Sequence, residues 1–425
     1  MTPPASRYAE LSREELAAVV PELLLIGHLI DRAAMPWCIA ELGREQMAGI
    51  AIEEWASASP VYTRRMQRAL GYAPLEPGRG DVVTIFKGLQ LDIGAPPQFM
   101  DFRFAVRDRW HGEFHLAHCG ALMDVEPMGD AYVRTMCHDI EDPTFDATAV
   151  ASNPRARVRP VHRPPRVPAD RKPHCAWTVV IDDSHPPAEP IAALALTERS
   201  RAATVELAPI DPSGTGRPDY AGPLLSDLDF AAFSHSCLSR LADEVCLQMH
   251  LLDLGFTIAL AGRGDVEQVA RIRRKQLTGI AGLAAERLAR ALALPSDPDR
   301  LAASALRLLA LHPILNPSAY VTASVTEGSI VVAPSPAHDD GAWVSLCGPQ
   351  WTAALQAAVR ALDPSLGVDV TPWREAGEKA WRVSVTRHEQ AAPEAEEVAV
   401  TRFSTGAGFA FGPRRPHPVV PTSPS

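Results

Sequence analysis

The chain has 425 residues, of which 46% are hydrophobic and 22% are charged, and its formal net charge at pH 7 is -10. These values are typical of a soluble globular protein and exclude a mostly disordered one. The acidic balance argues against nucleic acid as a partner, because phosphate binding needs a basic surface. The sequence has no apolar run of roughly 18 residues and no basic-then-apolar leader, so we expect a cytoplasmic protein without a membrane partner.

The 39 prolines and seven cysteines indicate how the chain is organised. An odd number of cysteines without a secretion signal predicts free thiols rather than a disulfide framework. Proline-rich stretches separate regions of apolar periodicity and predict the domain boundaries. We expect an N-terminal α+β domain over 1–185, a linker over 186–225, a second domain over 226–390 and an acidic, then proline-rich, disordered tail over 391–425.

Apolar spacing predicts the elements of the first domain in chain order. Apolar residues at helical spacing predict two helices, over 14–33 and 45–70. Asp142-Pro143 reads as an N-cap followed by proline at the first helical position, which predicts a short helix to about Ser152. Short β-prone runs predict strands over 102–106, 114–118, 131–136 and 177–181.

The same order of residues recurs in the second half of the chain. His28-Leu29-x-Asp31 recurs as His250-Leu251-x-Asp253, and Glu45-Gln46-x-Ala48-x-Ile50 recurs at the same offset as Glu267-Gln268-x-Ala270-x-Ile272. Ala176-Trp177 recurs later as Ala380-Trp381. We therefore predict an α+β fold of two tandem related domains, each with helices followed by a small antiparallel sheet, the second copy being degenerate.

Because the second copy replaces most of these titratable residues by apolar or small ones, a functional site is expected in the first copy. There, histidines and cysteines cluster near predicted strand ends, where they could supply the nitrogen and sulfur ligands of zinc or iron. On a strand with period two, His115 and Cys119 share one face and His118 points to the other. The candidate metal ligands are His115, His118, Cys119, Cys137, His138 and Cys175.

Other residues carry candidate chemistry beside that cluster. Acid–base or nucleophilic roles are expected for Cys137, His138, Asp139 and Glu141. Within the Arg/Pro-rich run 155–171, Arg159 and Arg163 could bind a substrate carboxylate. The repeated pairs His28/Asp31 and His250/Asp253 favour a structural role, since both copies keep them. No nucleotide fingerprint is present, so no nucleotide cofactor is expected.

The positions of three cysteines resemble a known family. Cys119 follows a strand, Cys137 is followed by Asp139 and a short helix with Asp146, and Cys175 directly precedes a strand with Trp177. This pattern, over residues 28–182, resembles the 2-aminothiazoline-4-carboxylate hydrolase-like proteins, which are similar to small-molecule-binding domains of the 4-vinyl-reductase type. The resemblance implies hydrolytic opening of a C–N or C–S bond in a carboxylated heterocycle, with a small molecule as partner.

Three functions are compatible with the sequence. The first is a hydrolase that depends on a divalent metal or on a cysteine. The second is a non-haem iron or copper redox enzyme, and the third is a zinc-stabilised ligand-binding module without turnover. The sequence leaves the substrate, the metal and the oligomeric state undetermined.

Overall fold

The computed structural model describes residues 3–295, 297–326, 328–413 and 419–421. The helices and strands of the first repeat are α1 (Arg13–Leu42), α2 (Arg44–Leu70), α3 (Val82–Leu89), β1 (Met100–Val106), β2 (His111–Cys119), α4 (Gly120–Val125), α5 (Asp130–Arg134), a π-helix (Thr135–Ile140), α6 (Glu141–Val150), β3 (Ala156–His162), β4 (Cys175–Ile181), α7 (Ala192–Glu198) and α8 (Arg201–Thr204). Those that follow are α9 (His235–Ala261), α10 (Val266–Ala291), α11 (Leu301–Leu311), β5 (Ala323–Val325), β6 (Ile330–Val332), α12 (Pro336–Asp339), α13 (Ala353–Arg360), β7 (Leu366–Pro372), β8 (Trp381–Arg387), α14 (Glu396–Thr401) and β9 (Val420–Pro421). Short 3-10 helices lie at Arg7–Glu10, Glu126–Met128, Phe230–Ala232, Pro313–Leu315, Trp343–Leu346 and Arg374–Ala376.

The two sheets have the same strand order, which confirms the prediction of two related α+β parts. In the first, the order β3-β4-β2-β1 is antiparallel throughout, and β9 adds a short parallel pairing beside β1. In the second, the order is β7-β8-β6-β5, which is the first order with each strand replaced by its counterpart. Each sheet follows a pair of long helices in the chain, as the repeat predicted.

Capping residues set the starts of the long helices. Ser12 accepts from the backbone N–H of Glu15, whose side chain accepts in return from the Ser12 N–H, so α1 begins with a capping box. Asp265 and Gln268 form the same reciprocal pair at the start of α10. At the start of α9, the Ser234 side chain alone accepts from a backbone N–H.

The four long helices pack reciprocally between the repeats. α1 packs against α10 and α2 packs against α9, while α1 and α9 also touch. Gly255 permits the close approach of α9 to α2, because a Cβ there would lie 2.7 Å from the Glu54 carbonyl oxygen. In an isologous dimer, both subunits use the same surface to contact each other, and the two repeats pack in this way within one chain. The two repeats therefore share one helical core.

One predicted strand is wrong, and one strand was missed. Residues 131–136 are helical, since they belong to α5 and to the π-helix that covers the inner face of the first sheet. The fourth strand is instead β3, which lies at a sheet edge and contains Pro160. An edge strand tolerates proline because one row of its backbone groups is unpaired.

The regions predicted as linker and tail contain ordered helices. α7 and α8 lie within 186–225, and α14 lies within 391–425. α7 packs on α2 as α14 packs on α10, so each sheet is followed by an equivalent helix. The expectation of disorder is therefore wrong for 396–412, where Val398 and Ala407 are buried. Residues 414–418 and 422–425 lie outside the described part of the chain.

Helix α9 is long and apolar enough to cross a membrane by length and composition alone. However, 78% of its most apolar 18-residue window is buried inside the protein. Core helices of soluble proteins pass the same test, so this feature is weak support for a membrane span.

Candidate functional site

A β-bulge moves Cys119 to the inner face of the first sheet. The register of β1 against β2 shifts between Met100, which pairs with Cys119, and Phe102, which pairs with Leu116. The extra residue reverses the alternation, because a bulge places two residues of one strand opposite one of the other. Cys119 is therefore buried with Leu116, while His115 is exposed on the outer face. The prediction that His115 and Cys119 share a face is wrong.

The other two cysteines of the predicted cluster also lie on the inner side. Cys175 begins β4 and pairs with Leu116 across the sheet. Cys137 lies in the π-helix that covers this face, and all three thiols are buried and free. π-Helical turns are rare and are frequently found at functional sites.

Burial keeps these three thiols protonated. Loss of hydration raises the pKa of Cys119 to about 12 and raises the pKa values of Cys137 and Cys175 well above the ordinary value. The nearby Glu141 carboxylate raises all three pKa values further. A thiolate nucleophile needs the opposite environment, one that lowers the pKa.

The histidines of the predicted cluster lie apart from the thiols. His118 packs against His174 with 5.7 Å between ring centroids, and burial lowers the pKa values of both rings. The His138 ring, on the π-helix, makes a 2.6 Å hydrogen bond with the Pro164 carbonyl oxygen, and Asp139 beside it is exposed. In the described part of the chain, no three His, Cys, Asp or Glu side chains are arranged to hold a metal ion. The predicted six-residue ligand set thus does not converge on one point.

The two arginines predicted to bind substrate form ion pairs with helix α6. Arg159 Nη1 lies 2.8 Å from Asp146 Oδ2, and Arg163 pairs with Asp142. The Asp146 carboxylate also accepts from the backbone N–H of Val158. These contacts attach β3 and the loop after it to α6, which occupies both guanidinium groups.

Glu141 lines a partly open cavity of about 90 Å³ between α1, α2 and the first sheet. The remaining lining residues are His28, Asp31, Arg32, Met35, Ala51, Trp55, Leu89, Asp92, Gly94, Ala95, Met100, Phe102, Ala121, Met136, Ile140, Thr144, Phe145 and Thr148. Glu141 Oε2 has no hydrogen-bond partner among the described residues. Burial, with the Asp142 charge beside it, raises the pKa of this carboxyl to about 8. A carboxyl group of this kind carries a proton at neutral pH.

Three further polar residues in this cavity were missed as functional candidates. His28 is buried against Phe99, neither of its ring nitrogens is hydrogen-bonded within the described chain, and burial lowers its pKa to about 3. The carbonyl groups of Ile93 and Gly94 face this ring and favour its protonated form slightly. Burial also raises the pKa of Asp92 to about 6 and that of Asp31 above its ordinary value.

The second repeat shows which of these residues are structural. His250, the counterpart of His28, hydrogen-bonds through Nε2 to the carbonyl oxygens of Pro313 and Asn316. It therefore has the structural role that the repeated His-x-x-Asp pairs predicted for both copies. His28 faces the carbonyl groups of Ile93 and Gly94 without a well-formed hydrogen bond among the described residues, and it also borders a cavity. The surroundings of His28 and His250 depend on the loops that face the two helices, so the sequence repeat alone does not predict this difference.

A larger apolar recess of about 420 Å³ adjoins this cavity. The two share Arg32, Met35, Met136 and Ile140 in their linings. The recess is otherwise lined mainly by apolar residues, which are Pro36, Ile39, Met47, Val125, Met128, Tyr132, Val400 and Phe403. At its border Arg32 Nε lies 3.2 Å from Asp124 Oδ2, and Asp124 also accepts from Ser404 of the segment after α14. A mostly apolar cavity with a few polar groups is a common form of ligand site.

Comparison with known proteins identifies no relative. No family model, no curated protein and no solved structure matches this chain. The resemblance to the 2-aminothiazoline-4-carboxylate hydrolase-like proteins stays a prediction.

Proposed function

We propose that the protein is a small-molecule hydrolase whose site is the cavity that contains Glu141. The proposal keeps the reaction class that the family resemblance implies, the opening of a C–N or C–S bond in a small carboxylated heterocycle. One observation carries it, which is a buried carboxyl group that is protonated at neutral pH and borders a cavity. Strongly shifted pKa values beside a cavity are typical of acid–base sites.

In such a reaction the departing ring nitrogen or sulfur must take up a proton. The protonated Glu141 can donate it as the bond to the ring carbon breaks, and water supplies the oxygen that bonds to that carbon. Glu141 as carboxylate then recovers a proton from that water. Arg32 contacts Asp124 through Nε at the border of the cavity, and its two Nη groups are the donors that we assign to the substrate carboxylate.

Cysteine and metal mechanisms have less support from the geometry. The three inner thiols have raised pKa values, and His115, another predicted ligand, lies on the opposite side of the sheet from them. We therefore assign no step to a thiolate or to a metal ion. Elemental analysis of protein purified without a histidine tag tests this choice. Stoichiometric zinc, iron or copper that is lost when Cys119, Cys137 and Cys175 are replaced by Ser would overturn it.

The proposal is tested by screening for the addition of one water molecule to small cyclic carboxylates, read by mass spectrometry. Glu141→Gln should abolish any turnover found, because the amide cannot donate its proton to the leaving group. Glu113→Gln is the matched control, since Glu113 is exposed on the outer face of the same sheet. Equal turnover by wild type and Glu141→Gln would refute the assignment of Glu141.

A further inference from the structure

The two repeats differ at one buried position that faces the cavity. Their long helices align with a constant offset, so that Asp31 corresponds to Asp253 and Ala51 corresponds to Arg273. Ala51 is fully buried and lines the cavity. The same place on the second repeat therefore carries a guanidinium group that the first repeat lacks.

Arg273 neutralises a buried carboxylate in the second repeat. Its Nη2 donates to Asp253 Oδ2 and to the Gly341 carbonyl oxygen, both at 2.9 Å. The Asp253 side chain is 1% exposed and that of Arg273 is 10% exposed. Buried carboxylates need such a partner, because an unpaired charge away from water is costly.

Among the described residues, the corresponding carboxylate of the first repeat forms no such ion pair, although the Arg32 charge lowers its pKa. Asp31 Oδ2 accepts from the neutral indole N–H of Trp55 at 2.7 Å, and the other side-chain hydrogen bond of this carboxyl group is with the neighbouring acid Glu54. The neighbouring Glu54 is another buried acid and adds no positive charge. Arg32, the cation that lines this cavity, already faces Asp124. The surroundings of Asp31 in the first repeat therefore contain acidic groups and open space, where those of Asp253 in the second repeat contain a guanidinium group.

The size and the aromatic lining of the cavity in the first repeat suit a guanidinium group. A volume of about 90 Å³ exceeds the space of several water molecules, so a group of a few heavy atoms fits. Trp55, Phe102 and Phe145 line the same space, and aromatic faces attract cations. The apolar recess beside it would accept the stem that carries the cation.

We infer that the first repeat binds a small molecule through a guanidinium group, which occupies the position that Arg273 fills in the second repeat. Asp31 pairs with this group, and the apolar part of the molecule lies toward Met35 and Met136. The inference deepens the proposed function and rests on it for the ligand being a substrate. It makes Asp31 and Ala51 residues that determine specificity.

The test uses methylguanidine as the probe and neutral methylurea as its matched control, with binding measured by calorimetry on the whole chain. We expect wild type to bind one methylguanidine per chain, at least about tenfold more tightly than methylurea. Ala51→Arg should bind none, because its own guanidinium occupies the site. Arg273→Ala should bind two, because the second repeat then gains an equivalent space.

Each outcome decides the inference. Equal affinity for the two probes, or a wild-type stoichiometry that Ala51→Arg leaves unchanged, would overturn it. If Ala51→Arg does not fold, the stoichiometry of Arg273→Ala still decides, and a value of one would count against the inference. Methylguanidine binding without any hydrolysis would keep this inference and remove the proposed function, whereas hydrolysis of uncharged rings without such binding would do the reverse.

Discussion

Arg65 and Glu244 form a buried ion pair between the two repeats, and Arg287 and Glu22 form the same pair at the equivalent positions. The Arg65 Nε–Glu244 Oε2 distance is 2.9 Å, and the Arg287 Nη2–Glu22 Oε2 distance is 2.6 Å. Each arginine also donates to backbone carbonyl groups of the segment that follows its own sheet, such as those of Ala203 and Gly406. These pairs hold the helical bundle and the segments after each sheet together.

Breaking one of these pairs should destabilise the whole molecule. Arg287→Met leaves Glu22 buried and unpaired, so we expect the free energy of unfolding to fall by about 3–5 kcal/mol. Combining it with Glu22→Leu removes both charges and should restore most of that loss. Urea unfolding measures both effects. The exposed pair Arg79–Glu76, with both side chains 70% exposed, is the control and should contribute little, because solvent and salt screen it. Equal losses from Arg287→Met and Arg79→Met would contradict a structural role of the buried pair.

The equivalent histidines should differ in their contribution to stability. His250→Leu leaves the carbonyl groups of Pro313 and Asn316 without their donor, so we expect a loss of about 1–3 kcal/mol. His28→Leu removes only the looser approach of the ring to the Ile93 and Gly94 carbonyl groups, so its cost should be smaller. Thermal and urea unfolding of the two variants make the comparison. A larger loss for His28→Leu would mean that His28 is the structural member.

Glu141 should make stability depend on pH in a specific direction. Its pKa rises from the ordinary 4.5 to about 8 in the folded protein, so the folded state binds a proton that the unfolded state releases between these values. Stability from this group is therefore present below about pH 4.5, falls as pH rises to about 8 and is constant above it. The change is on the order of 1.4 kcal/mol for each unit of pKa difference.

The comparison of wild type with Glu141→Gln isolates this effect. The amide does not ionise, so the variant should gain stability relative to wild type as the pH rises from 5 to 8.5. Urea unfolding at several pH values gives the difference. A constant difference across this range would show that Glu141 ionises normally in the folded protein.

The three inner thiols should react slowly in the native protein. Cys119, Cys137 and Cys175 are buried and have raised pKa values, so little thiolate is exposed to a thiol reagent near neutral pH. Absorbance assays with a disulfide reagent, before and after unfolding in urea, measure the rates. Rapid labelling of Cys137 in native protein, located by peptide mass spectrometry, would favour the cysteine mechanism instead.

The sequence predicted the helical pairs and the repeat, but it did not predict which face of the sheet Cys119 occupies. Apolar residues at helical spacing and the recurrence of His28 and Asp31 depend on local order, which the sequence contains directly. The burial of Cys119 depends on a bulge in the pairing of β1 with β2, which only the assembled sheet shows. β3 was missed because its arginines and Pro160 are typical of a loop.

The cavity illustrates the same limit. Glu141 was among the predicted catalytic residues, and the difference between Ala51 and Arg273 can be read from the repeat. Glu141 and Ala51 line the same cavity because the π-helix packs beside α1 and α2, which are distant from it in the chain. The predicted metal ligands failed to converge for a related reason, because alternation along the strands sends His115 outward while the bulge turns Cys119 inward.

The most direct test of this account is a titration of the Glu141 carboxyl group itself. Carbon-13 NMR of protein labelled at glutamate side chains, compared with Glu141→Gln to assign the signal, would follow its ionisation. We predict a midpoint near pH 8, well separated from the exposed glutamates. A midpoint near the ordinary value of 4.5 would mean that Glu141 is ionised at neutral pH, which contradicts its proposed role as proton donor.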